Sequence, residues 1–76
     1  MIDLASMIRD VPDFPKQGIV FKDLMPLIAD PTALRQSIDE LAAWAGPRTP
    51  SIIVGAEARG FIFGGALAYE IGRAHV

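Results

Sequence analysis

One segment, residues 51–64, constrains the fold of this chain most strongly, because a short apolar run stops at a glycine and a second run follows. Residues 52–54 are all β-branched, which is typical of a strand buried on both faces of a parallel sheet. Gly55 ends this run. The apolar segment that follows it, in which Gly60 and Gly64 recur, favours a helix. We therefore expect an α/β fold in which a parallel strand leads through a tight turn into a helix.

The turn between this strand and helix has the composition of an anion-binding site. Free backbone N–H groups and the positive end of the helix dipole attract anions there. The guanidinium of Arg59 adds paired donors that suit a phosphate or pyrophosphate. The carboxylate of Glu57 would repel an anion unless it points away, binds a metal ion carried by the ligand, or pairs with a neighbouring cation. Two interpretations stay open on the residues alone: an anion or nucleotide site, and an ordinary strand-to-helix connection with a surface ion pair.

The first thirty residues alternate short candidate elements with turns. Residues 4–9 predict a short amphipathic helix that ends before Pro12, because the residue before a proline avoids the helical region. Residues 13–18 predict a turn-rich loop, and residues 19–21 a short extended piece. We expect the helix to act as a lid or a docking element.

The clearest helix begins at Asp30 and Pro31, an N-cap acceptor followed by a residue whose missing N–H costs nothing at a helix start. Gly46 and the proline after it end the helix. Trp44 is expected to lie partly in the core. Apolar residues recur at spacings of three and four along the helix and predict its core-facing stripe: Leu34, Ile38, Leu41, Ala42 and Ala45. The predicted solvated face carries Arg35, Asp39 and Glu40.

The charge and composition of the chain limit the classes of partner that it can bind. A net charge of −2, with no block of lysine and arginine, provides no attraction to nucleic acid. No apolar run approaches the length of a membrane span, and residues 1–4 lack the basic start of a signal peptide. Cysteine is absent, which excludes disulfides and thiolate catalysis. We expect a cytoplasmic protein with neither a nucleic-acid nor a membrane partner.

The length of the chain limits its core. Its 76 residues form one small domain at most, and a domain of that size buries only about 60% of the surface that its unfolded chain exposes. Only residues 52–54 predict a doubly buried strand, and one parallel strand cannot form a sheet. We expect the isolated chain to be insoluble or molten.

Two motifs occur in a specific order: Asp-Phe-Pro-Lys-Gln-Gly-Ile-Val-Phe-Lys-Asp at residues 13–23, and Val-Gly-Ala-Glu-Ala-Arg-Gly-Phe-Ile-Phe-Gly at residues 54–64. The first resembles the purine-contacting segment of the adenine phosphoribosyltransferases, and the second resembles their pyrophosphate-binding loop. The likeness covers residues 8–69. It implies the amino-terminal part of a type I phosphoribosyltransferase domain, with a Rossmann-like parallel sheet and flanking helices, truncated in this chain.

The resemblance implies purine salvage, in which adenine takes the phosphoribosyl group of phosphoribosyl pyrophosphate to give AMP and pyrophosphate. Mg²⁺ would accompany the pyrophosphate, and no protein ligand for it is identified. Arg59 would be the catalytic residue that holds the leaving pyrophosphate, with Glu57, Ala58 and Gly60 completing the loop. The resemblance also implies a strained cis peptide between Glu57 and Ala58, and a homodimer for the full-length protein.

On the base side, the resemblance assigns the adenine contact to the backbone around Val20, with Phe21 packed nearby. Lys22 stands where some relatives carry arginine; it keeps the charge but loses the planar fork. The alternative role for Lys22 is a salt bridge with Asp23 or another acid. Selectivity for adenine over xanthine stays open, because a few hydrogen bonds at Val20 and Lys22 do not decide it.

The last residues, 70–76, depart from the family pattern. One reading frame of a widely used short-read sequencing adapter encodes the same peptide, Glu-Ile-Gly-Arg-Ala-His-Val. We therefore expect this tail to be foreign, with a native helix end at Gly72 as the alternative.

The family's paired-aspartate phosphoribosyl signature and its mobile acidic loop have no match in this chain. We therefore expect no turnover from the 76 residues alone. Two other classes stay open: a regulator that senses phosphoribosyl pyrophosphate, and a binding module for another nucleotide. Binding of phosphoribosyl pyrophosphate without adenine would favour the regulator.

Overall fold

The computed structural model describes residues 1–76, which divide into two compact units, residues 1–37 and 38–76. The first unit contains a 3-10 helix (Leu4–Met7), strands β1 (Arg9–Pro12) and β2 (Val20–Asp23), and the short helix α1 (Met25–Ala29). Helix α2 (Pro31–Ala45) spans the boundary between the units. A 3-10 helix (Gly46–Arg48), strand β3 (Ile52–Ile53), helix α3 (Glu57–Ile71) and strand β4 (Ala74–His75) complete the chain.

The first unit is built on an antiparallel hairpin. Strands β1 and β2 pair from Arg9 opposite Asp23 to Pro12 opposite Val20. The helix predicted for residues 4–9 is therefore only partly correct: a 3-10 helix ends at Met7, and Arg9 already belongs to a strand. Pairing with a distant strand overrides the local helical pattern. The extended piece predicted for residues 19–21 is confirmed as β2, which begins at Val20.

Helix α2 has the start that the sequence predicts. A side-chain oxygen of Asp30 accepts hydrogen bonds from the backbone N–H groups of Thr32 and Ala33, at 2.9 and 3.1 Å. These bonds satisfy two of the donors that a helix start leaves unpaired. The helix ends at Ala45, directly before Gly46.

The buried stripe of α2 is only partly the predicted one. Ile38 and Ala45 are buried as expected, whereas Leu41 is 38% exposed. Ala33 and Ser37, which were not predicted, are also buried. Ser37 can be buried because its hydroxyl donates to the backbone carbonyl of Leu34, at 2.7 Å.

Two surface predictions for α2 have different outcomes. Trp44 is 59% exposed, so its predicted place in the core is wrong. The Arg48 guanidinium lies 4.0 Å from the centre of the Trp44 ring, and this cation–π contact replaces core packing. Arg35, Asp39 and Glu40 are exposed, which confirms the predicted solvated face.

The N-cap provides a test that needs only a peptide. In a synthetic peptide of residues 29–46, Asp30→Ala is expected to cost about 1 kcal/mol of helix stability, because two N–H donors lose their acceptor. Circular dichroism at 222 nm should show a clear loss of helicity. Asp30→Asn keeps the acceptor and serves as the control, so an equal loss in both peptides would contradict the capping role.

The second unit has one parallel strand pair with α3 packed on it. Strands β3 and β4 pair with Ile52 opposite Ala74 and Ile53 opposite His75. The predicted strand, turn and helix are confirmed, and Gly72 ends α3 with a left-handed backbone, at φ 73°. The expectation that β3 would have no partner strand is wrong, because β4 lies within residues 70–76.

The predicted burial of residues 52–54 is also wrong for this chain. Ile52 is 46% exposed and Val54 is 71% exposed. Two short strands and one helix cannot cover both faces and both edges of a parallel pair. None of the helices is both long enough and apolar enough to cross a membrane.

Candidate functional site

The turn between β3 and α3 is closed by a contact between two glycines. A Cβ atom built on Gly55 would lie 2.6 Å from the backbone oxygen of Gly60, and one built on Gly60 would lie 3.2 Å from the carbonyl carbon of Gly55. A side chain at residue 55 would therefore force backbone atoms apart. Glycine at this position allows the strand end to approach the first turn of the helix.

The amino terminus of α3 is not capped by a side chain. Ala56 occupies the N-cap position and makes no side-chain hydrogen bond. The first four amides of a helix have no partner within the helix, and the helix dipole adds partial positive charge at that end. The first turn contains the four residues predicted to form the pyrophosphate loop: Glu57, Ala58, Arg59 and Gly60.

Backbone strain in this turn differs from the prediction. The only cis peptide bond in the chain joins Phe14 to Pro15, so the cis bond expected between Glu57 and Ala58 is wrong. Glu57 instead has a left-handed backbone, with φ 64°. This conformation is uncommon for a residue with a side chain, and such residues concentrate at binding sites. The tight turn into α3 thus bends at Glu57 through its backbone angles.

The charged side chains of the turn are accessible. Glu57 and Arg59 are both exposed. The dipole favours a carboxylate in a first helical turn, which stabilises Glu57 there. Backbone amides and a guanidinium in the same turn form a donor set suited to a phosphate group.

His75 contacts the turn and was not among the predicted site residues. Its Nε2 atom is buried and has no hydrogen-bond partner. The same atom would lie 3.0 Å from a Cβ on Gly55 and 2.6 Å from one on Gly64. The Phe61 ring meets the imidazole edge to face, with 6.3 Å between ring centres. No pattern in the sequence predicts the placement of His75, because that placement depends on the pairing of β4 with β3.

The residues predicted to face the base are consecutive in β2. Val20 is 53% exposed, and the Phe21 ring makes an edge-to-face contact with the Phe14 ring, with 5.3 Å between centres. The loop before β2 is closed by the Gly18 N–H, which donates to an Asp13 carboxylate oxygen at 2.9 Å. An aromatic pair and a closed loop therefore support the strand that carries Val20.

Two ion pairs cross the hairpin. The Lys22 ammonium donates to Asp10, directly opposite in β1, at 2.6 Å. This confirms the salt-bridge alternative for Lys22, with Asp10 as the acid rather than Asp23. The Arg9 guanidinium pairs with Asp23, also directly opposite. The two pairs fix the register of β1 against β2.

Asp23 links the hairpin to α1. The backbone N–H of Met25 donates to its carboxylate at 2.9 Å. The hydrogen bond from Met25 lowers the pKa of Asp23 below its ordinary value of 3.8. Desolvation raises the pKa and opposes this effect, whereas the hydrogen bond from Arg9 and its positive charge lower the pKa further. Folding therefore favours the ionised form of Asp23.

Side chains of the types that ligate metal ions are dispersed in the structure. No three histidine, cysteine, aspartate or glutamate side chains lie close enough together to hold an ion. A hard cation such as Mg²⁺ keeps several waters and often binds through substrate phosphates with only one or two carboxylates.

The chain is similar in sequence to adenine phosphoribosyltransferases. The one from Solidesulfovibrio magneticus is 54% identical over 71 residues, which cover 93% of this chain and 42% of that protein. The one from Thermotoga neapolitana is 45% identical over 75 residues, which cover 99% of this chain and 44% of that protein. The chain thus spans about two fifths of the length of the curated relatives it matches. No protein-family model matches it.

Solved structures give the same likeness. The adenine phosphoribosyltransferase of Thermoanaerobacter pseudethanolicus superposes with a TM-score of 0.93 at 46% identity, covering 97% of this chain and 43% of that one. The enzyme of Giardia lamblia, solved with 9-deazaadenine, superposes with a TM-score of 0.91 at 39% identity, covering 97% of this chain and 41% of that one. The Saccharomyces cerevisiae enzyme was solved with adenine and an imino-altritol bisphosphate. It superposes with a TM-score of 0.90 at 33% identity, covering 97% of this chain and 44% of that one.

Proposed function

We infer from these likenesses that the chain belongs to the adenine phosphoribosyltransferase family, and we propose that it forms the amino-terminal part of such an enzyme. The proposed reaction joins a ring nitrogen of adenine to C1 of the ribose in phosphoribosyl pyrophosphate. The bond from C1 to the pyrophosphate oxygen breaks, the nitrogen loses its proton, and AMP and pyrophosphate are released. The observation that carries this proposal is similarity along nearly the whole chain, at 54% identity to one relative and a TM-score of 0.93 to one solved structure.

Residues in the first turn of α3 supply the proposed pyrophosphate site. The amides of Ala58, Arg59 and Gly60 donate to phosphate oxygens, and the Arg59 guanidinium offsets the charge that grows on the leaving group. The left-handed backbone of Glu57 and the contact of Gly55 with Gly60 preorganise these donors. Preorganised donors cost no reorganisation when the bond breaks, which is why this arrangement favours the transition state.

Strand β2 supplies the proposed base side. Extended backbone at Val20 offers an N–H and a C=O that match a donor–acceptor edge of adenine. Phe21, braced by Phe14, provides an apolar surface against which a base packs. The pair of Lys22 with Asp10 holds the ammonium on the hairpin, so the proposed base contact at this position is through the backbone rather than a forked side chain.

Three further features belong to the same proposal. Mg²⁺ bound together with the substrate would offset charge on the departing pyrophosphate, and no residue of this chain is assigned as its ligand. The full-length enzyme is a cytoplasmic homodimer. The proposed partners are adenine and phosphoribosyl pyrophosphate, with neither nucleic acid nor a membrane.

A chimera tests the proposal in cells. In this chimera, the chain replaces the 71 matched residues of the Solidesulfovibrio magneticus relative. We expect its gene to restore growth on adenine in a bacterium that lacks purine synthesis and adenine salvage. The relative itself is the positive control. Failure of the chimera to support growth, despite soluble expression, would contradict the proposal.

The chimera also tests the buried carboxylate of the hairpin. The depressed pKa of Asp23 means that its ionised form stabilises the fold above pH 3.8, and that this contribution disappears as pH falls through the lower folded pKa. We expect Asp23→Asn to lower the urea midpoint at pH 7 and 5, and the difference from the parent to shrink progressively as the pH falls below 3.8. Asp39→Asn, at an exposed position of α2, should match the parent throughout. A difference for Asp23→Asn that is the same at every pH would contradict the assignment.

A further inference from the structure

The side chain of Gln36, in α2, binds both backbone polar groups of Ile2. The Ile2 N–H donates to Oε1 of Gln36 at 2.9 Å, and Nε2 of Gln36 donates to the Ile2 carbonyl at 2.6 Å. A carboxamide carries both an acceptor and a donor, so it matches the C=O and N–H of a single residue. Both residues are half-buried, which strengthens hydrogen bonds relative to those in water. We call this pair of hydrogen bonds the Gln36 clamp.

The Gln36 clamp closes the first unit into a ring. It joins positions that are 34 residues apart, and the first 3-10 helix, β1, β2 and α1 all lie between them. Single residues connect most of these elements. Ile8 separates the 3-10 helix from β1, Leu24 separates β2 from α1, and Asp30 separates α1 from α2. Because these connections are so short, a displacement at one end of the ring moves the next element.

Contacts inside the ring lead from the clamp to the strand that carries Val20. The 3-10 helix that follows Ile2 lies against α1, and the Met25 N–H at the start of α1 donates to Asp23, the last residue of β2. The same 3-10 helix leads into β1, which pairs with β2 along its whole length. Strand β2 is therefore held by α1 at its end and by β1 along its edge, and both contacts begin at the segment that Gln36 binds.

We propose that Gln36 is a positioning residue for the base side of the site: by clamping Ile2, it holds β2 where the backbone of Val20 meets adenine. This role rests on the proposed function and assigns Gln36 no contact with either substrate. Backbone groups cannot follow a displaced base as a long side chain can, so recognition by Val20 depends on where its strand is held. Without the clamp, only the fraction of molecules with β2 in place binds adenine.

Kinetics of the chimera test the proposal. Gln36→Met keeps an unbranched side chain of similar volume but removes both hydrogen-bonding groups, so it separates the clamp from packing. We expect it to raise the KM for adenine by about three- to tenfold, a range that the loss of two ordinary hydrogen bonds allows. The kcat and the KM for phosphoribosyl pyrophosphate should stay at the parent level. An unchanged KM for adenine, or equal rises in both KM values, would overturn the proposal.

Two further variants make the kinetic result specific. Arg35→Ala, at the exposed neighbouring position of α2, is the matched control and should change neither KM. A chimera that lacks residues 2 and 3 has no Ile2 backbone for Gln36 to bind, so its KM for adenine should rise as much as that of Gln36→Met. The deletion and Gln36→Met together should have no further effect, because they break the same hydrogen bonds. Effects that multiply in the combined variant would overturn the proposal.

Hydrogen exchange, measured by mass spectrometry, separates the clamp from the chemistry. Amide protons of residues 20–23 should exchange faster in Gln36→Met than in the parent chimera, while those of α3 exchange at the same rate in both. Unchanged exchange in residues 20–23 would overturn the proposal. If the parent chimera makes no AMP, the proposed function is wrong, and faster exchange confined to the hairpin would still support the positioning of β2 by Gln36.

Discussion

Replacing Arg59 by alanine in the chimera is expected to lower kcat/KM for phosphoribosyl pyrophosphate by about 10²–10³-fold, the loss typical of removing one donor to a developing oxyanion. Arg59 lies in the first turn of α3, where we propose that its guanidinium and the backbone amides hold the same phosphate group. Steady-state kinetics should show a lower kcat and a higher KM for phosphoribosyl pyrophosphate, with the KM for adenine little changed.

Two control substitutions make the Arg59 result specific. Arg59→Lys keeps the charge but loses the paired donors, so its loss should be intermediate. Arg35→Ala removes an exposed arginine from α2 and should leave the kinetics at the parent level. If Arg59→Ala stays within about threefold of the parent, a difference worth well under 1 kcal/mol, the pyrophosphate role of Arg59 is wrong.

The 76-residue chain alone is expected to form no AMP above a no-protein control and to show no cooperative thermal unfolding. Its core consists of five buried apolar residues, and three of them are alanine: Leu27, Ala33, Ile38, Ala45 and Ala68. Val54, Phe61 and Tyr69 are all more than half exposed. Burial this small does not offset the conformational entropy of folding.

Calorimetry and a radiochemical AMP assay check this expectation on the same preparation. The chimera, which contains the same 76 residues, is the positive control for the assay. A sharp heat-absorption peak from the isolated chain would show that its small core suffices for a cooperative fold. AMP formation by the isolated chain would show that the unmatched part of the relatives is not needed for catalysis.

Elements with strong local signals could be predicted from the sequence. Asp30 and Pro31 identify the start of α2, because an N-cap acceptor and a residue without an N–H both favour a helix start. Gly55 and the β-branched residues before it identify β3 and the turn into α3. The motifs at residues 54–64 and 13–23 indicate a resemblance to adenine phosphoribosyltransferases, and the chain is similar to proteins of that name in both sequence and structure.

Elements that depend on distant partners were missed. Strand β1 contains Pro12 and two charged residues, and its extended form depends on the pairing of Arg9 with Asp23. Strand β4 is only two residues long and has no periodicity of its own. Helix α1 is five residues long, with Pro26 in its first turn, which is too short for a helical repeat to be recognised.

Side-chain environments were the least predictable. Trp44 was expected to pack because large apolar residues usually do, but Arg48 covers its ring at the helix end. Residues 52–54 have the pattern of a doubly buried strand, and these 76 residues provide too little structure to cover it. The foreign origin expected for residues 70–76 stays a prediction. The alignment with the Thermotoga neapolitana relative, at 75 residues, extends into this segment, and β4 lies within it.

AMP formation by the purified chimera is the most direct test of the proposed function. The assay supplies phosphoribosyl pyrophosphate and Mg²⁺ with adenine, hypoxanthine or xanthine in parallel reactions, and separates the nucleotides by chromatography. We predict AMP and equimolar pyrophosphate with adenine, and little product with the other two bases. Binding of phosphoribosyl pyrophosphate without any nucleotide product, or a preference for xanthine, would contradict the proposed transfer to adenine.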